Sequence, residues 1–145
     1  MYDKTIIDWF KKNKRDLPWR KTDPWGILVS EIMLQQTPVQ RVLPVYNEWM
    51  KRWPTAAQLA KASPAEVITA WGRLGYPRRA LRLHECAKVI TNEYNGVIPN
   101  TESELRKLPG IGEYTAAAMV AFAFGGSSLV LDINIRRLFS RLYKG

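Results

Sequence analysis

An all-α fold is expected for this chain on three grounds. No stretch alternates apolar and polar residues as a half-buried strand does, apolar residues recur at helical spacing along the 145 residues, and helix start and stop signals are dense. Asp23-Pro24 suits an N-cap followed by proline at the first helical position, where the missing N–H has no intrahelical partner to lose. Thr37-Pro38 repeats the pattern, ending one helix and starting the next. Ser63-Pro64-Ala65-Glu66 and Thr101-Glu102-Ser103-Glu104 both fit the capping box, in which side chains satisfy open backbone amides. These signals predict helices over 3–14, 24–36, 39–52, 55–61, 64–73, 77–94, 102–108, 113–124 and 133–143. Gly125-Gly126-Ser127-Ser128 reads as a short flexible connection, and the sequence holds no low-complexity linker or internal repeat. Trp19, Trp25, Trp49, Trp53 and Trp71 are expected mostly in the core, because large aromatic area stabilises a small helical domain efficiently.

Lys and Arg total 22 against 13 Asp and Glu, a net charge of +9. That imbalance favours a polyanionic partner, although a solvated basic surface would produce the same count. No apolar stretch is long enough to span a bilayer, which argues against a membrane partner. The single cysteine, Cys86, excludes a disulfide within the chain and a multi-cysteine metal site. It falls in a helical pattern, where a small buried side chain is the simplest role. The start Met1-Tyr2-Asp3-Lys4 has no signal-peptide character, so a cytoplasmic, nucleoid-associated location is the default expectation.

Two acids stand out by their surroundings. Glu31 lies in the apolar run Ile27-Leu28-Val29-Ser30-Glu31-Ile32-Met33-Leu34, where desolvation should favour its protonated form. Asp132 lies in Val130-Leu131-Asp132-Ile133-Asn134, where a helix is expected to begin and its amides would hold the carboxylate ionised. One proton donor and one fixed anion are what cleavage of a glycosidic bond requires. A plain N-cap would account equally for Asp132, and a partly exposed or Arg-paired acid for Glu31.

Leu108-Pro109-Gly110-Ile111-Gly112 joins two short helices. Pro109 stops the first, and the two glycines permit torsions closed to other residues while leaving the turn amides bare. Bare amides at a helix N-terminus cradle a phosphate oxygen. Such a contact positions DNA without reading its sequence.

With Leu131-Asp132 downstream, Leu108-Pro109-Gly110-Ile111-Gly112 resembles the helix–hairpin–helix DNA glycosylase superfamily typified by endonuclease III, and the likeness runs over essentially the whole chain. Leu17-Pro18-Trp19-Arg20, Asp23-Pro24-Trp25, Ser30-Glu31-Ile32-Met33-Leu34-Gln35-Gln36-Thr37 and Leu74-Gly75-Tyr76 followed by Arg79-Ala80 are similar to its adenine-specific branch. The resemblance implies a six-helix barrel domain over 17–145, with the hairpin at about 102–124, and an N-terminal helix over 1–16 belonging to a second domain. It implies a monomer that binds double-stranded DNA with adenine opposite 8-oxoguanine or guanine, and flips the adenine out of the stack.

By position, the resemblance makes Glu31 the general acid that protonates adenine and then assists water, and Asp132 the carboxylate that stabilises the oxocarbenium-like sugar, with Asn134 helping to hold the site. Tyr114, 18 residues before Asp132, stands where lyase members carry a Schiff-base lysine, so hydrolysis without strand cleavage is expected. Gln36 and Tyr76 match residues that enter the duplex, Gln35 and Thr37 belong to the same wall, and Leu108, Gly110, Ile111 and Gly112 form the phosphate-binding turn. Arg78, Arg79 and Arg82, and Arg136, Arg137 and Arg141, are expected partly phosphate-facing and partly solvated, with Arg79 counted among the DNA contacts. His84 is expected to pack rather than react.

Family members also carry a 4Fe-4S cluster and an 8-oxoguanine-recognising domain, whose residues would fall beyond position 145, so no metal ligand is expected here; a monovalent cation at the hairpin is implied too. Without those downstream helices, Ile6, Ile7, Trp9 and Phe10 are expected to be exposed and to lower solubility. Excision of a mismatched thymine or uracil, and a non-catalytic DNA-binding module, are the alternatives. The Leu34-Gln35-Gln36-Thr37 run favours the adenine branch.

Overall fold

The computed structural model describes residues 17–20 and 22–124. The helices expected over 3–14 and 133–143 lie outside these residues, as do Asp132, Asn134 and the second arginine group. Among the described residues the chain is all-α, with seven α-helices and two 3-10 turns, Pro18–Arg20 and Gly72–Leu74. The helices are α1 (Pro24–Leu34), α2 (Val39–Arg52), α3 (Ala56–Ala60), α4 (Pro64–Trp71), α5 (Arg78–Glu93), α6 (Glu102–Leu105) and α7 (Glu113–Ala123).

Local signals set most of the helix starts. Asp23 accepts from the Gly26 N–H at 3.0 Å, with Pro24 following it. Ser63 and Glu66 complete both halves of a capping box. Thr101 caps α6 through the Glu104 N–H, but the Glu104 carboxylate turns to Tyr94 Oη and Lys107 Nζ, at 3.0 and 2.9 Å. Thr37 is not a cap: α2 starts from Pro38 without a side-chain cap, and Thr37 is buried. Helix ends follow packing more than sequence. α1 stops at Leu34 rather than at 36, and the α4 pattern tightens into a 3-10 turn after Trp71.

The core is built on tryptophan. Trp49 sits edge-on to Trp53 (4.8 Å between centroids) and to Trp71 (5.8 Å), joining α2 to α4. Trp25 Nε1 donates to the Trp53 carbonyl at 3.4 Å, and Tyr46 Oη to the Gly26 carbonyl at 3.1 Å, so α1 is fastened to α2 at two points. Burial pushes the Tyr46 phenol up to about 12. α1 packs between α2, α5 and α7, and α3 lies along α5. Cys86 is fully buried on α5, as its helical context implied.

His84 is buried on α5, and that burial lowers its pKa below the ordinary 6.5, with Lys88 adding to the effect and Glu85 opposing it. The unfolded imidazole therefore takes up a proton at a higher pH than the folded one, so unfolding binds a proton and stability falls as the pH drops through 6.5. Urea midpoints measured between pH 7.5 and 5 should decline, and His84→Gln should flatten that decline. Trp49→Ala should cost about 3–5 kcal/mol in the same assay, because it removes the ring that joins α2 to α4.

Candidate active site

α1 is buried on nearly every side: Trp25 to Met33 are all inaccessible, and Glu31, 6% exposed, is the one buried acid among the described residues. A solvated helical acid is thereby excluded. Gln35 follows one turn later on the same helix face. Its Nε2 donates to Thr115 Oγ1 at 3.0 Å, and Thr115 is buried in the first turn of α7. The end of α1 is thus tied to the helix that the glycine turn introduces. Thr115 has no distinguishing mark in the sequence, where its neighbour Tyr114 is the more conspicuous residue.

A helix that ends inside a protein leaves its last carbonyls without intrahelical partners. The Gln35 and Thr37 N–H groups reach the Ile32 and Leu34 carbonyls at 3.4 Å each, and Arg79, reaching across from α5, supplies further donors. Its Nη1 donates to the carbonyls of Ile32 (3.0 Å) and Met33 (3.2 Å) and also to that of Gln35. Its Nη2 donates to Thr37 Oγ1 (3.0 Å), the Gly75 carbonyl (3.2 Å) and the Leu74 carbonyl (3.4 Å). The guanidinium stacks over the rings of Trp71 and Tyr76, 5.1 and 5.9 Å from their centroids. Burial lowers its pKa from 12.5. Expected at the DNA, the Arg79 guanidinium is directed into the protein, because six internal oxygens claim its donors. Thr37 is likewise part of this internal network rather than an outer wall.

Gln36 and Tyr76 emerge from the two segments that Arg79 joins. Both are exposed, Tyr76 at 66%, and both have left-handed backbones, with φ of 59° and 50°. Neither residue type favours that region. Trp71 Nε1 donates to the Gly75 carbonyl at 2.9 Å, which braces the Tyr76 segment from behind.

The hairpin turn runs from Leu108, whose carbonyl accepts from the Ile111 N–H at 3.2 Å, to Gly112, the N-cap of α7. Leu108 and Ile111 are buried, so their side chains anchor the turn in the core and only their backbone remains for a ligand. Gly110 needs to be glycine twice over: its φ is 78°, and a Cβ there would sit 3.0 Å from the Cβ of Arg82. Gly112 is different. Its φ of −91° suits any residue and nothing lies within 4 Å of its Cβ position, so its value is an uncovered approach to the α7 amides. Arg82 and Tyr114 are exposed on either side of this turn.

The residues present do not fit an iron–sulfur cluster. Cys86 is the one cysteine of the sequence, and burial pushes its thiol up to about 12. Among the described residues no three His, Cys, Asp or Glu side chains converge as metal ligands.

Residues 29–145 match the HhH-GPD superfamily base excision DNA repair protein family. The chain is 54% identical over 142 residues to the adenine DNA glycosylase of Mycolicibacterium smegmatis, covering 97% of this chain and 48% of that protein. It is 40% identical to the human adenine DNA glycosylase over 148 residues, 95% of this chain and 27% of that protein. The chain spans half or less of the length of these relatives. Its fold is similar to a thermostable thymine-DNA glycosylase (TM-score 0.79, 33% identity, 86% of this chain and 58% of that one). It is also similar to endonuclease III trapped on DNA (TM-score 0.76, 23% identity, 85% of this chain and 57% of that one), a likeness of fold.

Gly110→Ala should lower stability by about 1–2 kcal/mol through its left-handed backbone. It should also displace Arg82 and weaken binding to matched and mismatched duplexes alike, as read by fluorescence anisotropy.

Proposed function

The chain belongs to the HhH-GPD superfamily of base excision DNA repair proteins, and from that premise we propose that it is the base-excising part of an adenine DNA glycosylase. Its reaction is hydrolysis of the N-glycosidic bond of adenine paired with 8-oxoguanine or guanine. The observation that carries the proposal is Glu31: a carboxyl buried in a helix that is apolar but for Ser30 and that ends shortly before Gln36. A buried carboxyl is uncommon, and such groups cluster at functional sites. The 54% identity to an adenine DNA glycosylase, over nearly the whole chain, supports the choice of base.

In this reading the hairpin amides of α7 and the Arg82 side chain hold a backbone phosphate. Gln36 and Tyr76 occupy the gap left by the flipped adenine and touch the opposite base. Glu31 gives its proton to the adenine ring, so the base departs neutral and the C1′–N9 electron pair leaves with it. The sugar becomes oxocarbenium-like, and Asp132, oriented by Asn134, stabilises that charge as an anion. Glu31, now a carboxylate, takes a proton from the water that attacks C1′, and so returns to its starting state. Tyr114, at the mouth of α7, contacts the sugar–phosphate near the reacting carbon. A phenol forms no Schiff base, so the product is an abasic site in an uncut strand. Location at the nucleoid and action as a monomer complete the proposal. The likeness to a thymine-DNA glycosylase makes thymine opposite guanine the second reading.

Single-turnover assays on duplexes with adenine opposite 8-oxoguanine, with thymine and uracil mismatches as controls, decide between them. They should be run on this chain and on one extended through the cluster cysteines. Adenine release is expected, with Glu31→Gln lowering the rate by roughly 10²–10⁴-fold and no borohydride-trapped adduct forming. Thymine release in its place would establish the second reading, and a trapped adduct would overturn the hydrolytic assignment.

A further inference from the structure

We propose that Arg79 is a positioning residue that makes one rigid unit of the two strained segments carrying Gln36 and Tyr76. The inference deepens the reading in which those two side chains enter the duplex, and rests on it for its consequence at DNA.

A peptide group is planar, so holding the carbonyl of one residue also fixes the N–H of the next and one side of that next residue's φ. Arg79 holds the carbonyl of Gln35, directly before Gln36, and the carbonyl of Gly75, directly before Tyr76. Both following residues are in the left-handed region, at 59° and 50°, where their side chains give no local support. Trp71 Nε1 also holds the Gly75 carbonyl and Thr37 Oγ1 that of Gln35, but of these groups the guanidinium alone reaches both carbonyls. Nη1 faces the α1 carbonyls and Nη2 faces Thr37 and the 74–75 carbonyls, so the planar fork sets the distance between the two segments. Thr37 Oγ1 closes the ring from the other side, donating to the Gln35 and Leu74 carbonyls at 3.4 Å each. A lysine would keep the charge but has one nitrogen, which cannot serve acceptors on both flanks. The consequence is that the wedge arrives at DNA already assembled, and the ordering of two exposed loops is not deducted from binding.

Arg79→Lys and Arg79→Gln test this in two arms. Amide hydrogen exchange on the free protein should show residues 34–37 and 74–76 losing protection together in both variants, by roughly tenfold or more, while α2 and α3 are unchanged. Loosening of one segment alone, or of neither, would overturn the proposal. If Arg79→Gln unfolds globally, Arg79→Lys still reads the same two segments. The second arm measures affinity for mismatched and matched duplexes across a salt series. Arg79→Lys should cut the preference for the mismatch roughly tenfold and add nothing in a Tyr76→Ala background. Arg79→Gln should leave the salt slope unchanged, whereas a phosphate-bound arginine would reduce it by about 0.9; a reduced slope, or losses that multiply in the double variant, would refute the assignment. If Tyr76→Ala and Gln36→Ala leave mismatch preference intact, the duplex-entry reading fails by itself, and the exchange arm still decides the role of Arg79.

Discussion

A helix terminus cannot be buried with its carbonyls unsatisfied, and much of this site follows from how α1 meets that constraint. α1 runs through the centre of the described fold and is buried as far as Met33. Beyond the Gln35 and Thr37 N–H groups, the donors at its end come from a side chain on another helix. Once Arg79 occupies that position, the end of α1, the Thr37 hydroxyl and the turn before Tyr76 form one hydrogen-bonded body. Gln35 then extends the body to α7 and the hairpin through Thr115. Three segments far apart in sequence converge because one apolar helix ends among them.

In the proposed function, grip and chemistry are separate. Phosphate recognition by backbone amides needs only a turn that brings them together and leaves them uncovered, and two glycines meet those needs separately: Gly110 by its torsion, Gly112 by its bareness. Leu108 and Ile111 contribute by anchoring the turn in the core. The surplus of basic residues adds long-range attraction for a polyanion, which falls with salt and is indifferent to sequence. Lys51, Arg52 and Lys107 are paired with neighbouring acids, whereas Arg82 lies directly against the hairpin. In the proposed function, base-level discrimination then falls to the few residues held out on strained backbone.

Positive charge alone is a poor guide to which arginine meets DNA. Arg78, Arg79 and Arg82 look equivalent in the sequence, yet Arg79 is drawn inward by oxygen atoms contributed from 42 to 47 positions away, by the 74–75 turn, and by two aromatic faces. The same holds for Thr37, which has the local pattern of a cap and the environment of a core polar group.

Local chemistry was enough to settle the all-α class, the capped starts of α1 and α4, the span of α2 and the tight turn at Gly110, because each depends on residues within a few positions of one another. The apolar sequence neighbours of Glu31, and with them its burial, were visible for the same reason. The point at which α1 stops, the partner of Gln35, the inward turn of Arg79 and the left-handed backbones of Gln36 and Tyr76 were decided by tertiary packing. Each is a matter of which distant oxygens and rings share one space, and no spacing along a single helix encodes that.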